Sequence, residues 1–217
     1  MPDPLRLSEM TPGQAREVFA HVPRLLLAAG TLEARGPHLP LACDTVILQA
    51  LAEELSARTG IPCTPPFPFG AGGRNQDPAP GAAALTRKAL HRVLNELIAV
   101  WEEVAGVQDI TILTAHAADP HLEALSTIRT SCQVRVVDIF TIPALGELRT
   151  ANATDWHGGE VDTSLLLHIR PELVDRSRIP HTAQASALRG AAFFQAIVQH
   201  LEARLSPAAE PEPESLL

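Results

Sequence analysis

Three short, almost uninterrupted apolar runs constrain what this chain can fold into: Arg24–Ala29 (RLLLAA), Asp109–Ala115 (DITILTA) and Val134–Ile139 (VRVVDI). Each has the length of one strand; RLLLAA and DITILTA read as buried strands, the second of them central, and VRVVDI as another strand. Strands buried on both faces are joined through helices that pack above and below them. The intervening segments fit that role. Thr11, Pro12 and Gln14 form a helix start that runs to about Ala20. Asp44 opens a helical period that ends near Gly60. Ala82–Val104 reads as a helix with Leu85, Ala89, Val93, Leu97, Val100 and Trp101 on one face. Leu122–Thr130 reads as a shorter helix, the segment 156–175 as a polar start running into a helix with Leu165, Leu166 and Ile169 inward, and Ser186–Leu205 as a helix with Leu188, Ala192, Ile197, Val198 and Leu201 in its stripe. The expected fold class is α/β, a three-layer arrangement with a mostly parallel central sheet flanked by helices.

The segment Ile61–Phe69 is apolar, but its four prolines allow only a short or edge strand. It leads into Gly70–Pro80, a Gly- and Pro-rich loop expected to form a lid or pocket wall. One domain over residues 1–205 is expected from a chain of 217 residues with 46% hydrophobic content, followed by a disordered Pro/Glu-rich tail at 206–217.

Charge and cysteine content narrow the function. A formal net charge of −8 without a basic cluster argues against nucleic acid or an anionic membrane surface as partner. The first residues lack a basic region followed by an apolar core, and no apolar run approaches the roughly 20 residues of a membrane helix, so the expected location is cytoplasmic. Cys43, Cys63 and Cys132 are too few and too scattered for a disulfide framework or a zinc ribbon and are read as reduced thiols. Small molecules or proteins remain as partners.

Polar chemistry is concentrated where strands end and helices begin. Glu33, Arg35, His38 and Asp44 lie in the loop after the first run; His116, Asp119 and His121 follow the second; His157, Glu160 and Asp162 open the helix near 160. In a parallel sheet these loops share one edge, so the clusters can converge. Carboxylates and imidazoles from separate loops suit Zn²⁺, Mn²⁺ or Fe²⁺. Single residues also have plainer roles: His38 can tie down its loop, Asp44 can favour a helix N-terminus, and Asp162 and Thr163 can cap the following helix.

GTLEARGPHLPLACD resembles the G-S-x-E-x-H-G-P-H-L-P-L-x-x-D motif of the creatininase (creatinine amidohydrolase) family. TAHAAD is similar to its N-G-H-G-G-N, and HGGEVDTSLLL to its H-A-G-E-x-E-T-S, in the same order and followed by PELVD. The resemblance implies an α/β fold, a homo-oligomer that is commonly a hexamer, and a two-metal site that hydrolyses small linear or cyclic amides. Residue by residue, Glu33, Asp44 and His116 match the ligands of one metal, with Asp44 bridging. Glu160 matches a ligand of the second, and His157 a proton-transfer residue.

The departures are specific. Arg35 stands in place of a metal-binding histidine, and a guanidinium cannot coordinate a cation. Arg74 replaces a pocket-loop histidine, GAAAL at Gly81 replaces G-T-x-S-L, Asp119 replaces Asn and Asp162 replaces Glu. Arg35 is expected to take the place of the second metal and to pair with Glu160 or Asp44, leaving one divalent metal per subunit or none. His38, Arg74, Asp119, Trp156 and Asp162 are pocket candidates. Two readings follow: a metal-dependent hydrolase of a non-peptide amide C–N bond with an incomplete second metal site, or a catalytically degenerate relative that binds a ligand or serves as an assembly subunit.

Overall fold

The computed structural model describes residues 2–72, 79–150 and 157–206. The expectations for Arg74, Trp156 and the tail from 207 onward lie outside the described residues.

Three strands, β1 (Arg24–Ala29), β2 (Asp109–Thr114) and β3 (Gln133–Asp138), form a parallel sheet in the order β1-β2-β3. Their alternating faces feed two cores. Leu26 and Ala28 of β1 and Leu113 of β2 join the helices α2 (Cys43–Thr59), α5 (Pro143–Leu148), α6 (Glu160–Ile169) and α7 (Ala187–Leu205) on one side. Leu25, Leu27, Ile110 and Ile112 pack with α1 (Pro12–His21), α3 (Arg87–Ala105) and α4 (Asp119–Ser126) on the other. The three layers expected from the sequence are therefore present. The prolines of Ile61–Phe69 have the expected effect, since Cys63 and Phe67 only bridge β1 at isolated points. No helix among the described residues is long and apolar enough to cross a membrane.

Several local expectations are corrected. Helix α3 starts at Arg87, where the Thr86 side chain caps it by accepting from Ala89 N–H. Its buried face is Leu90, Leu94 and Ile98, while Leu97, Val100 and Val104 face outward. The apolar face of this helix is wide, with Leu97, Val100 and Val104 along one edge of it, so periodicity finds the face but not which edge meets the sheet. In α7 the core face is Phe193, Phe194, Ile197, Val198 and Leu201, and Leu188 is exposed. Helix α4 begins at Asp119 because Pro120 fits a first helical turn.

Close packing holds the strand ends against the helix starts. At the end of β1, a Cβ on Gly30 would lie 2.4 Å from the Thr45 hydroxyl, so only glycine lets the start of α2 press onto the strand. Asp44 reaches the sheet edge by that route.

Candidate metal centre

The loop after β1 folds back onto α2 through backbone and side-chain bonds. Glu33 N–H donates to the Leu41 carbonyl, Thr45 donates to the Thr31 carbonyl, and the Thr31 hydroxyl donates to Asp44 Oδ2 at 2.7 Å. These contacts place Glu33, Arg35 and Asp44 side by side, beneath the loop that follows β2. His116 from that loop lies with its Nδ1 3.1 Å from Glu33 Oε1.

Arg35 occupies the centre of the cluster and is only 3% exposed. Its Nη2 donates to Asp44 Oδ2 at 2.6 Å and to the Ala115 carbonyl at 2.9 Å, and lies 3.0 Å from Glu33 Oε1. Its Nη1 donates to Asp162 Oδ2 at 3.1 Å. A buried charge without partners is prohibitively costly, and here one guanidinium meets three carboxylates. Burial works against its charge, but Asp162, Asp44 and Glu33 outweigh burial and hold Arg35 protonated beyond its ordinary range.

Asp162 is positioned from the other direction. Gly158 N–H donates to Asp162 Oδ2 at 2.8 Å. Gly158 has φ +72, and a Cβ there would lie 2.4 Å from the Arg35 carbonyl oxygen, so the loop before α6 can lie flat on the Arg35 backbone only as glycine. His157, next to it, brings Nε2 to 3.4 Å from Glu33 Oε1 while remaining largely exposed to the cleft.

The carboxylates are crowded. Burial pushes the Asp44 carboxyl up to about 6, with Asp162 and Glu33 acting in the same sense and Arg35 and the Thr31 hydrogen bond against it. Burial also works to raise Glu33, but hydrogen bonds from His116 and His157, together with the Arg35 charge, hold it below the usual carboxylate range. Within the cluster Asp44 Oδ1, His116 Nε2 and Asp162 Oδ1 are buried without a hydrogen-bond partner, the first two on residues that lie together with Glu33. Glu33, Asp44 and His116 each offer one ligand atom within 4.8 Å of the others, and among the described residues this is the group that fits a metal ion.

The sequence clusters converge only in part. Glu33, Arg35, Asp44, His116, His157 and Asp162 meet. Glu160, expected at the second metal, does not join them: its carboxylate pairs with Arg189 and accepts from Thr150 N–H and the Thr150 hydroxyl, both at 3.0 Å. The partner expected for Arg35 is corrected accordingly, with Asp162 in place of Glu160 alongside Asp44. His38 is buried and tied to Thr163 Oγ1 at 2.8 Å, the loop-holding arrangement. Asp119 is exposed in the first turn of α4 and does not line the cleft. His121 is buried behind His116, accepts from Ala71 N–H at Nδ1, and is pushed down to about 4 by burial. Cys43 is buried in the core, where burial raises its thiol well above the usual range.

A cleft of about 460 Å³ opens over Arg35, His116 and His157. Asp138, Phe140 and Thr141, which the motifs do not mark, also line it. Asp138 ends β3, and its position at the carboxyl end of a parallel strand is the sequence signal that identifies it. Its Oδ1 accepts from Phe140 N–H at 3.0 Å. Burial raises its carboxyl above the usual range, against the Phe140 N–H, Arg35 and His116.

A family model described as "Creatininase: Creatinine amidohydrolase" matches residues 8–207. A mycofactocin precursor peptide peptidase from Mycolicibacterium smegmatis is 29% identical over 182 residues, covering 80% of this chain and 70% of that protein. Its counterpart from Mycobacterium ulcerans is 28% identical over 185 residues, covering 80% and 69%. A solved creatinine amidohydrolase (creatininase) superposes with a TM-score of 0.78 at 18% identity, covering 93% of this chain and 96% of that one. A creatininase described as the Mn form gives a TM-score of 0.79 at 18% identity, covering 93% and 97%. At these identities the solved structures establish the fold.

Proposed function

The chain belongs to the creatininase (creatinine amidohydrolase) family, a family of hydrolases, and on that premise we propose that it cleaves an amide C–N bond using one divalent metal held by Glu33, Asp44 and His116. The observation that carries this reading is the pair of buried ligand atoms without partners, Asp44 Oδ1 and His116 Nε2, within a three-residue group of metal-binding dimensions. Leaving such atoms unsatisfied costs about 1–3 kcal/mol each, more for a charged oxygen. A divalent cation held by Glu33, Asp44 and His116 would satisfy both. Two carboxylates with one imidazole suit Zn²⁺, Mn²⁺ or Fe²⁺, and the solved relatives include creatininases described as Mn and Zn–Zn forms.

Arg35 supports a count of one. Its guanidinium takes Asp44 Oδ2, an oxygen that a second ion would need, pairs with Asp162 Oδ2 as well, and supplies a fixed positive charge there. Asp44 would then hold the guanidinium through one oxygen and offer the other to a metal, where the family resemblance implies that it serves two metals. A bound divalent ion supplies Lewis acidity toward water and the amide carbonyl.

The chain's own groups do the rest. Arg35 holds Glu33, Asp44 and Asp162 in register. His157, at the cleft and within 3.4 Å of Glu33, is placed to carry a proton to the leaving nitrogen. Ala115, Ala117 and Ala118 give the cleft an apolar floor on which the amide can lie. The relatives at 28–29% identity carry the name of peptidases, so the substrate class we propose includes short peptides as well as the small linear or cyclic amides expected from the sequence.

The test is turnover by full-length protein supplied with Zn²⁺, Mn²⁺ or Fe²⁺ on a panel of lactams, formamides and short peptides. Metal-dependent release of an amine product from at least one of them is the expected result. Absence of turnover with every metal on every member of the panel contradicts the proposal.

A further inference from the structure

The cleft carries an acidic group beyond those that face Arg35. Asp138 lines the cleft along with His157, is half-buried, and uses only its Oδ1, which accepts from Phe140 N–H. Its other oxygen forms no hydrogen bond among the described residues. Among the described residues that line the cleft Asp138 is the one carboxylate, since Glu33, Asp44 and Asp162 are engaged with the Arg35 guanidinium and do not line it.

We propose that Asp138 selects the substrate, by pairing with a cationic nitrogen such as a free amino group carried near the amide to be cleaved. The proposal rests on the hydrolase reading and names the substrate class within it. The charge pattern supplies the reason. An anionic substrate would meet the Asp138 carboxylate, while the one guanidinium among the described lining residues, Arg35, is already engaged by carboxylates. A cationic nitrogen gains a charge-assisted hydrogen bond from Asp138, and the ring of Phe140 beside it provides an apolar wall for the rest of the molecule. Asp138 also caps the short turn at Ile139–Thr141. Asparagine keeps that capping acceptor and removes only the charge, so Asp138→Asn separates the two roles.

The experiment uses three glycylglycinamide probes that differ only at the terminal nitrogen: the free amine, the N-acetyl form and the N-succinyl form. Binding to the full-length protein is measured by calorimetry in the presence of Mn²⁺, and kcat/KM is measured wherever turnover occurs. Wild type is expected to bind the free amine most tightly and the succinyl form most weakly. Asp138→Asn is expected to weaken the free amine by about tenfold to a hundredfold, the range of a hydrogen bond to a charged group, and to leave the acetyl form within about twofold. The proposal is overturned if wild type does not bind the free amine, if it shows no preference for it, or if the substitution weakens all three alike. The hydrolase reading fails separately, through absent turnover with the binding order intact.

Discussion

Replacing Arg35 with methionine is expected to destabilise the metal-free protein by about 3–5 kcal/mol, the usual cost of removing one partner from a buried ion pair. Asp44, Asp162 and Glu33 would then face one another with no cation between them, and the carboxyl of Asp44 is already pushed up to about 6 with Arg35 present. Urea unfolding of wild type and Arg35→Met, without added metal, measures the loss. Added Mn²⁺ or Zn²⁺ should restore more stability to the variant than to wild type, because a second cation can enter where the guanidinium stood. A variant as stable as wild type would show that Arg35 does not neutralise this cluster.

The second large effect is expected at His116. His116→Ala removes the neutral nitrogen donor of the three-ligand group and should lower kcat/KM on any accepted amide by about three orders of magnitude or more, roughly 4 kcal/mol in the barrier. Bound metal should be lost with it. Glu160→Gln is the contrasting control. Its carboxylate is engaged by Arg189 and Thr150, so the expected consequence is lower stability with metal content unchanged. Loss of metal from Glu160→Gln, with His116→Ala retaining it, would reverse the assignment of these two residues.

The strands and the site differ in how far the sequence reveals them, for a physical reason. RLLLAA, DITILT and their neighbours are apolar on both faces and bounded by Pro, Gly or polar residues, so they can only be buried strands, and their limits follow closely. In α3, Val93, Leu97, Val100 and Val104 repeat at the same helical period as Leu90, Leu94 and Ile98, and nothing local indicates which stripe meets the sheet.

The same ambiguity governs Glu160 and Asp162. Two residues apart on a helix, they point to different sides, and the rotation of α6 is set by packing along α7 rather than by the motif. Asp162 therefore reaches Arg35 while Glu160 turns to Arg189. Glu33, Arg35, Asp44, His116 and His157 were legible as a converging set because each follows a strand or opens a helix on the sheet edge where parallel strands end. Asp138 obeys the same rule, but a lone aspartate at a strand end forms no cluster, and its place in the cleft becomes visible only when β3 lies beside β2.

The central claim, that a fixed guanidinium has replaced one of two metals, is tested most directly by counting metal. Protein purified without chelator and analysed by plasma mass spectrometry should contain one tightly held divalent ion per chain, and Arg35→His should raise that number toward two. Two ions per chain in the wild-type protein, or none after incubation with Zn²⁺, Mn²⁺ or Fe²⁺, would contradict it.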